Sequence, residues 1–214
     1  MSNRQRLFDD WARDYDASVR SDEAYPFAGY DRVLDRVVDL AEVRPSDCVL
    51  DIGIGTGNLS ARIVPSSCEL WGVDFSAAML AVARKKLPQM HLVRADLLAG
   101  WPSNLPERFD RIVSAYVLHE FDLETKLRLI ADFVAHLSES GRLVVGDIAF
   151  ETQARQEEVR EIFANTWDSE EHYWVAEQMV PRLLERGLGV TFEPVSFCGG
   201  VFAIERRNPG PSIE

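Results

Sequence analysis

A short apolar run that breaks into three alternating glycines constrains the fold of this chain more than any other feature of its sequence. Residues 48–52 read C-V-L-D-I and are followed by Gly53, Gly55 and Gly57, and then by a segment with helical character. Glycine readily adopts positive φ and lets a ligand approach the main chain closely. The first turn of a helix offers unpaired N–H groups to an anionic group. The pattern therefore predicts a strand, a loop that binds a nucleotide-containing cofactor, and a helix.

The spacing of these glycines distinguishes between kinds of cofactor. A dinucleotide fingerprint has glycine at its first, third and sixth positions, but the sixth position counted from Gly53 is Asn58. An NAD-dependent oxidoreductase is therefore the less favoured alternative, and it would bind NADH.

The loop carries an acidic residue, Asp51, two positions before its G-x-G-x-G pattern. With this acid it resembles the first motif of the class I S-adenosylmethionine (SAM)-dependent methyltransferases. Residues 8–16, F-D-D-W-A-R-D-Y-D, resemble the opening of the YrrT-type small-molecule methyltransferases of bacilli, which also share the G-x-G-T-G-N-L loop. The resemblance runs over nearly the whole chain. It implies methyl transfer from SAM, with S-adenosylhomocysteine as the product.

Strand-like and helical patterns alternate after residue 46, which predicts an α/β fold. Strands are expected near 48–52, 69–73, 91–94, 109–115 and 141–147, and helices over 76–87, 123–137, 153–163 and 175–186. Two last strands, 190–197 and 201–205, would form a hairpin that turns at Gly199-Gly200. We therefore expect a doubly wound seven-stranded sheet of five parallel strands plus a C-terminal antiparallel hairpin, with helices on both faces. This is also the plan that the resemblance implies.

Three regions are expected along the chain. Residues 1–45 would form an N-terminal helical lid, and residues 46–207 the SAM-binding methyltransferase domain. Within that domain, residues 151–174 are interpreted as an insert that shapes the acceptor pocket.

The resemblance assigns cofactor contacts in the order of the strands. Asp51 would lie near the ammonium of SAM, Asp74 would accept hydrogen bonds from the ribose hydroxyls, and Asp96 would contact the adenine amino group. Asp74 has an alternative interpretation as an acid at a helix N-terminus, and Asp96 as a turn aspartate. The full predicted cofactor set is Asp51, Gly53, Gly55, Gly57, Asp74, Phe75, Met79, Asp96, Leu97 and Ala115.

Candidate catalytic residues are His119, Tyr15 and Asp147. His119 follows the fourth strand, at the edge where open α/β sheets bind ligands, and histidine titrates in a useful range. Its alternative interpretation is a structural residue that shapes the pocket. Asp147, at the end of the fifth strand, could orient the acceptor. The resemblance implies that Tyr15 faces the reaction centre from the lid, although the i, i+3, i+7 spacing of Phe8, Trp11 and Tyr15 also fits the buried stripe of a helix.

An aromatic segment, His172-Tyr173-Trp174, follows the charged part of the insert. It could cover the acceptor pocket, or it could be a hydrophobic staple that fixes the start of the next helix. A general base is needed only if the acceptor holds its proton at the working pH.

Charge and composition narrow the partners. The chain has 23 basic and 35 acidic residues, a net charge of −12, which disfavours nucleic acid and anionic membrane surfaces. Its three cysteines lie far apart, which predicts neither a metal site nor a disulfide framework and suggests a cytoplasmic protein. No apolar run approaches the ~20 residues that a membrane span requires. A homodimer is left open.

The acceptor is expected to be a small molecule. No N-P-P-Y or D-P-P-Y run follows the fourth strand, and the resemblance associates such a run with methylation of a flipped base. A SAM-binding sensor or partner subunit without catalysis remains the second hypothesis, because it would keep the same loop and acids.

Overall fold

The computed structural model describes residues 9–12, 14–19 and 24–207 of the chain. Phe8, the first residue of the opening segment, lies outside these ranges. The described strands are β1 (Cys48–Ile52), β2 (Glu69–Asp74), β3 (His91–Arg94), β4 (Phe109–Ala115), β5 (Leu137–Phe150), β6 (Trp174–Val175), β7 (Leu188–Pro194) and β8 (Gly199–Arg206). The helices are α1 (Tyr15–Ser18), α2 (Tyr30–Ala41), α3 (Asn58–Ile63), α4 (Ala77–Lys86), α5 (Leu123–Ala135), α6 (Gln153–Ile162) and α7 (Ala176–Glu185).

The strands form one mixed sheet in the order β3-β2-β1-β4-β5-β8-β7. Neighbours from β3 to β5 are parallel, whereas β8 pairs antiparallel with both β5 and β7. The strand order reverses beside β1, and in open α/β sheets ligands bind outside the carboxyl ends of the strands at such a point. The topology therefore directs the loop after β1 to the binding edge. The predicted α/β class and terminal antiparallel hairpin are confirmed.

An eighth strand is added to the predicted seven. The two-residue strand β6 pairs in parallel with the end of β5, where Ala149 faces Trp174 and Phe150 faces Val175. This short strand ties the end of the 151–174 segment to the sheet.

Apolar residues on both faces of the sheet form the core. Helix α2 buries Val33 and Val37 against the sheet, where Gly146 of β5 leaves room for them. A Cβ atom at Gly146 would lie 2.6 Å from a Val37 methyl and 2.7 Å from a Val33 methyl. Because such distances are too short for carbon atoms, a glycine is required for this helix to approach the strand so closely.

The fifth strand is longer than predicted at both ends. It begins at Leu137, which pairs with Phe109, so that α5 ends at Ala135 and not at residue 137. It continues to Phe150 because β8 and β6 pair with its last residues. Asp147 therefore lies inside the strand, and the prediction that it ends the strand was wrong.

The predicted turn at Gly199-Gly200 was also wrong, although the hairpin itself is present. Both glycines belong to β8, where Gly200 pairs with Pro194, and residues 195–198 make the connection. A Cβ atom at Gly200 would lie 2.5 Å from the Phe192 ring. Gly200 is therefore needed for packing between the strands. A Gly-Gly pair in a sequence can indicate either such packing or a turn, and the pattern alone does not separate the two.

Within the part of the chain that the structure describes, no helix combines the length and apolar character needed to cross a membrane.

Candidate active site

A cavity of about 330 Å³ opens at the carboxyl edge of the sheet, beside the loop after β1. Its walls come from the glycine loop, the ends of β2, β3 and β4, and two helices before the sheet. The lining includes Tyr15, Tyr30, Asp51, Gly53, Ile54, Gly55, Thr56, Asn58, Asp74, Phe75, Met79, Asp96, Leu97, Ala115, Tyr116, Glu120 and Phe121.

The glycine loop adopts the left-handed backbone that its sequence predicts. Gly53, Gly55 and Gly57 have φ values of 65°, 55° and 87°. A Cβ atom at Gly53 would overlap Val117 at 2.4 Å, whereas at Gly55 its nearest neighbour would be a carbonyl oxygen 3.9 Å away. Gly55 therefore leaves open space at the cavity, and Gly53 allows close packing beneath it. Gly57 instead packs on α4, where a Cβ atom would lie 2.8 Å from Leu87.

Asp74, at the end of β2, connects this loop to the start of α4. Its carboxylate accepts main-chain N–H groups from Gly55 at 2.9 Å and from Ser76 at 2.8 Å. Burial raises the pKa of Asp74, whereas these N–H bonds act in the opposite direction. A carboxylate has about four acceptor positions, so Asp74 can still accept hydrogen bonds from a ligand. Asp74 lies near the N-terminus of α4, as the alternative interpretation expects, because it accepts the N–H of Ser76. The cap itself is Ser76, whose hydroxyl accepts the N–H of Met79.

Asp51 is a buried carboxylate at the end of β1. It is 1% exposed and accepts a hydrogen bond of 2.6 Å from the Ser60 hydroxyl. Burial raises its pKa to about 7, although the Ser60 bond opposes the shift, and the nearby Asp74 charge adds to it. A cationic group in the cavity would therefore find a carboxylate that ionises readily once it has a partner.

Asp96 follows β3 and begins a short 3-10 helix. Its carboxylate accepts the N–H of Leu98 at 2.9 Å, as a turn aspartate does, and it also lines the cavity. Phe75, Met79 and Leu97 form apolar walls nearby. Both interpretations of Asp96 are therefore compatible with its position.

The opening segment is held across the cavity by aspartates that the sequence analysis did not single out. Asp9 accepts a hydrogen bond of 2.5 Å from the Ser76 hydroxyl. Asp16 accepts hydrogen bonds from Thr56 and Asn58, and pairs with Lys86 at 2.8 Å. Both acids belong to the motif F-D-D-W-A-R-D-Y-D, so that the motif itself was the available signal.

Tyr15, between these two attachments, lines the cavity and packs edge-on against Trp11 at 4.8 Å. Burial and the adjacent Tyr30 raise the pKa of Tyr15 well above its usual value. Tyr15 therefore keeps its proton near neutral pH and offers a hydroxyl donor and an aromatic face, but no base.

His119 and Asp147 form a buried pair behind the cavity. Nδ1 of His119 lies 2.6 Å from Oδ1 of Asp147, and the Asp147 carboxylate also accepts the indole N–H of Trp174 at 3.1 Å. Burial lowers the pKa of His119, but Asp147 and Glu171 together outweigh this effect and raise it to about 10. The imidazole is therefore cationic near neutral pH when only protein groups surround it.

The segment before α7 divides between two roles. Tyr173 packs with Tyr25 and Trp167 in an aromatic cluster, with ring centroids 6.3 and 4.7 Å away. Trp174 is 1% exposed and packs on Phe202 of β8, so that it belongs to the core. His172 contributes its main chain, because its N–H donates to the His119 carbonyl at 2.6 Å and its carbonyl accepts from Lys126.

The structure thus brings most predicted site residues to one cavity. Those that line it are Tyr15, Asp51, Gly53, Gly55, Asp74, Phe75, Met79, Asp96, Leu97 and Ala115. Gly57, His119 and Asp147 are not among the lining residues.

Comparisons with known proteins give a family. Residues 49–141 match the methyltransferase domain family. An uncharacterized methyltransferase of Geobacillus sp. strain WCH70 is 34% identical over 196 residues, covering 87% of this chain and 90% of the relative. One of Alkaliphilus oremlandii is 31% identical over 162 residues, covering 74% of each.

Solved structures agree on the fold. The DhpI complex with S-adenosylhomocysteine (SAH) superposes with a TM-score of 0.71 at 17% identity, covering 97% of this chain and 95% of that one. Magnesium protoporphyrin IX methyltransferase from Synechocystis PCC 6803, with bound SAH, gives a TM-score of 0.70 at 18% identity, covering 95% and 98%. The relatives and the solved structures match over most of the chain, and the glycine loop lies at the end of β1. The chain therefore belongs to the class I SAM-dependent methyltransferases.

Proposed function

We propose that this enzyme transfers the methyl group of SAM to a small-molecule acceptor by in-line displacement. One observation carries the proposal. Three carboxylates, Asp51, Asp74 and Asp96, lie at or just after the carboxyl ends of successive parallel strands and line a single cavity beside the glycine loop.

The residues present fit an adenosyl sulfonium cofactor. The open space at Gly55 admits a ligand against the main chain, and the carboxylates match a molecule with an ammonium, a ribose and an adenine amino group. SAM supplies a methyl group already activated on its sulfonium, so that displacement by an acceptor nucleophile leaves SAH. We assign Asp51 to the ammonium, Asp74 to the ribose hydroxyls and Asp96 to the adenine amino group.

Placement is the main contribution of the protein. Asp16 and Asp9 hold the lid segment, residues 9–12 and 14–19, against Thr56 and Ser76, so that Tyr15 lines the cavity. A closed lid excludes water from the reacting atoms, and holding an acceptor in line can lower the barrier by up to ~7–11 kcal/mol. Because Tyr15 retains its proton, we assign it to orienting the acceptor and not to deprotonating it.

The surface charge supports a small acceptor. A net charge of −12 opposes the approach of a phosphate backbone, and a cavity of about 330 Å³ falls within the size range of small-molecule sites. We assign residues 151–174 to the acceptor side of the site, where Trp167 and Tyr173 contribute aromatic surface to a second cavity.

Binding and turnover test the proposal separately. In separate titrations, calorimetry should show that each chain binds one molecule of SAM or one molecule of SAH. Asp74→Ala should lower the affinity for each ligand, since each charged hydrogen bond contributes about 1.5–3 kcal/mol. Incubation of wild-type enzyme with methyl-labelled SAM and a metabolite panel should transfer label to at least one compound. Binding of NADH without binding of SAM would contradict the cofactor assignment, and SAM binding without any transfer would favour a sensor.

A further inference from the structure

A histidine and two glutamates converge beside the cofactor cavity. The imidazole of His119 and the carboxylates of Glu120 and Glu171 offer ligand atoms that all lie within 4.8 Å of one another. Glu120 lines the cofactor cavity, whereas Glu171 lines a second, polar cavity of about 410 Å³. The three side chains therefore stand between two cavities, where a small ligand can reach them.

The spacing of two of these atoms fits shared coordination better than a hydrogen bond. Nε2 of His119 lies 3.5 Å from Oε1 of Glu171, which is longer than the ~2.7–2.9 Å of a charge-assisted hydrogen bond. Two ligand atoms bonded to one ion at ~2.0–2.2 Å with tetrahedral angles lie about 3.4 Å apart. The observed separation matches the second geometry.

Asp147 fixes the histidine as a metal ligand is usually fixed. Its carboxylate lies 2.6 Å from Nδ1 of His119 and also accepts the main-chain N–H of the same residue at 3.0 Å. Histidine ligands almost always donate their second ring N–H to a carboxylate, carbonyl or water, which orients the other nitrogen toward the metal. Nε2 is thereby presented to Glu171.

Carboxylates surround the imidazole of His119. Asp147, Glu120 and Glu171 supply three carboxylates, and Asp147 is fully buried. Lys126 lies near Asp147, and its ammonium is directed to the His172 carbonyl. A cation that binds the three ligand atoms would therefore lie next to carboxylates that attract it.

A buried hydroxyl beside the cluster also lacks a partner. Tyr173 is 8% exposed, and its hydroxyl oxygen makes no hydrogen bond within the described part of the chain. It lies close enough to Glu171 to affect the pKa of that carboxyl. An unsatisfied buried hydroxyl is costly, and water or an oxygen ligand on an adjacent ion would satisfy it.

We propose that His119, Glu120 and Glu171 bind one divalent first-row cation, Mn²⁺ or Zn²⁺. Imidazole suits zinc, and carboxylates suit manganese. The partly buried Glu120 provides the third ligand. In the metal-bound state the ion takes the place of the Nε2 proton. The absence of a metal motif among the cysteines does not bear on this site, because none of its ligands is a cysteine.

The ion would give the acceptor an oxygen-binding point at the wall between the two cavities. Three protein ligands leave coordination positions open, and an ion so placed would hold a hydroxyl or carboxylate oxygen of the acceptor. This role rests on the proposed function, whereas binding of the ion does not.

The test uses purified full-length protein treated with chelator, without SAM or acceptor. Mn²⁺ and Zn²⁺ are titrated separately by calorimetry, and bound Mn²⁺ is counted by electron paramagnetic resonance. Glu171→Gln removes one ligand, and Glu170→Gln removes the charge of its exposed neighbour. We expect one ion per chain in the wild type, an affinity about 10- to 100-fold weaker in Glu171→Gln, and no change in Glu170→Gln.

Thermal unfolding of both metal-free variants checks that they are folded, and Glu120→Gln provides a second ligand variant should Glu171→Gln not fold. The proposal would be overturned if neither ion bound to the wild type with unit stoichiometry. It would also be overturned if Glu171→Gln and Glu170→Gln bound the ion with equal affinity. SAM binding is measured on the same samples. If the wild type bound the metal ion but did not bind SAM, the proposed function would be refuted and the metal site would still stand.

Discussion

The carboxylate of Asp16 accepts a hydrogen bond of 2.6 Å from the hydroxyl of Thr56. The same carboxylate accepts from Asn58 at 3.0 Å and pairs with Lys86 at 2.8 Å. One side chain of the lid thus contacts the glycine loop, the first turn of α3 and the last turn of α4. The position of the lid is coupled to the shape of the cofactor loop through these contacts.

Asp16→Ala should weaken SAM binding by about tenfold, or ~1.4 kcal/mol, because the lid loses its attachment to Thr56 and Lys86. The unfolding midpoint should change little, since exposed ion pairs contribute roughly 0–1 kcal/mol. Calorimetry with SAM measures the affinity. Asp14→Ala, at an exposed position two residues earlier, is the control and should bind SAM as the wild type does. Equal affinities of the two variants would show that the lid does not depend on Asp16.

Gly55→Ala should impair binding beyond its effect on folding. At φ 55° a side chain costs roughly 1–2 kcal/mol, and the added methyl group would also enter the space left for the cofactor. Gly187→Ala is the matched control, because Gly187 has φ 75° and no atom within 4 Å of its Cβ position. Both variants should lose similar stability in urea, but only Gly55→Ala should lose SAM affinity, by tenfold or more. A parallel loss of affinity in Gly187→Ala would refute this distinction.

Asp51→Asn should stabilise the ligand-free protein while weakening SAM binding. The pKa of Asp51 is about 7 in the folded protein and ~3.9 in an unfolded chain. Between these values the folded state retains a proton that the unfolded state has released, so that stability falls as pH rises from about 4 to about 7. At pH 8 the wild type carries a buried charge that the asparagine lacks.

The unfolding midpoint of Asp51→Asn should therefore exceed that of the wild type at pH 8, by about 2–4 °C for each kcal/mol recovered. The difference should be smaller at pH 5. SAM affinity should fall at least tenfold, because the ammonium loses its counter-charge. A variant that is less stable than the wild type at pH 8 would contradict the pKa assignment.

Local patterns predicted residues that line the cavity, because these residues lie close in sequence to the strands that position them. Gly53 and Asp51 are joined to β1, and Asp74 and Asp96 end or follow the next two strands. The parallel order of these strands was enough to bring all four residues to one edge.

Long-range contacts were not predictable in the same way. Asp9 reaches Ser76 across 67 residues, and Asp16 reaches Asn58 across 42, and no periodicity records such pairings. The position of Gly200 depends on a ring from the opposite strand, so that its interpretation as a turn residue was reasonable and wrong. Asp147 was selected for its place in the sequence, but its buried bonds to His119 depend on how far pairing extends β5.

Asp147→Asn should cause the largest loss of stability among these variants. The carboxylate is 0% exposed and accepts four hydrogen bonds, from the main chain and ring of His119, the N–H of Ile148 and the indole of Trp174. An amide presents two N–H groups where donors already point, and it leaves the buried imidazole with only the more distant Glu171 carboxylate, at 3.5 Å, as a counter-charge. Breaking a buried ion pair in this way costs about 3–5 kcal/mol.

Urea unfolding at pH 7 measures the loss, and Asp122→Asn is the matched control. Asp122 accepts the N–H of Thr125 at 2.8 Å as the N-cap of α5, a position where asparagine caps as well as aspartate does. The control should stay within about 0.5 kcal/mol of the wild type. Asp147→Asn could instead change stability as little as Asp122→Asn does. The buried pair would then not hold β5 to the short 3-10 helix of residues 118–120, and the orientation of His119 would need another cause.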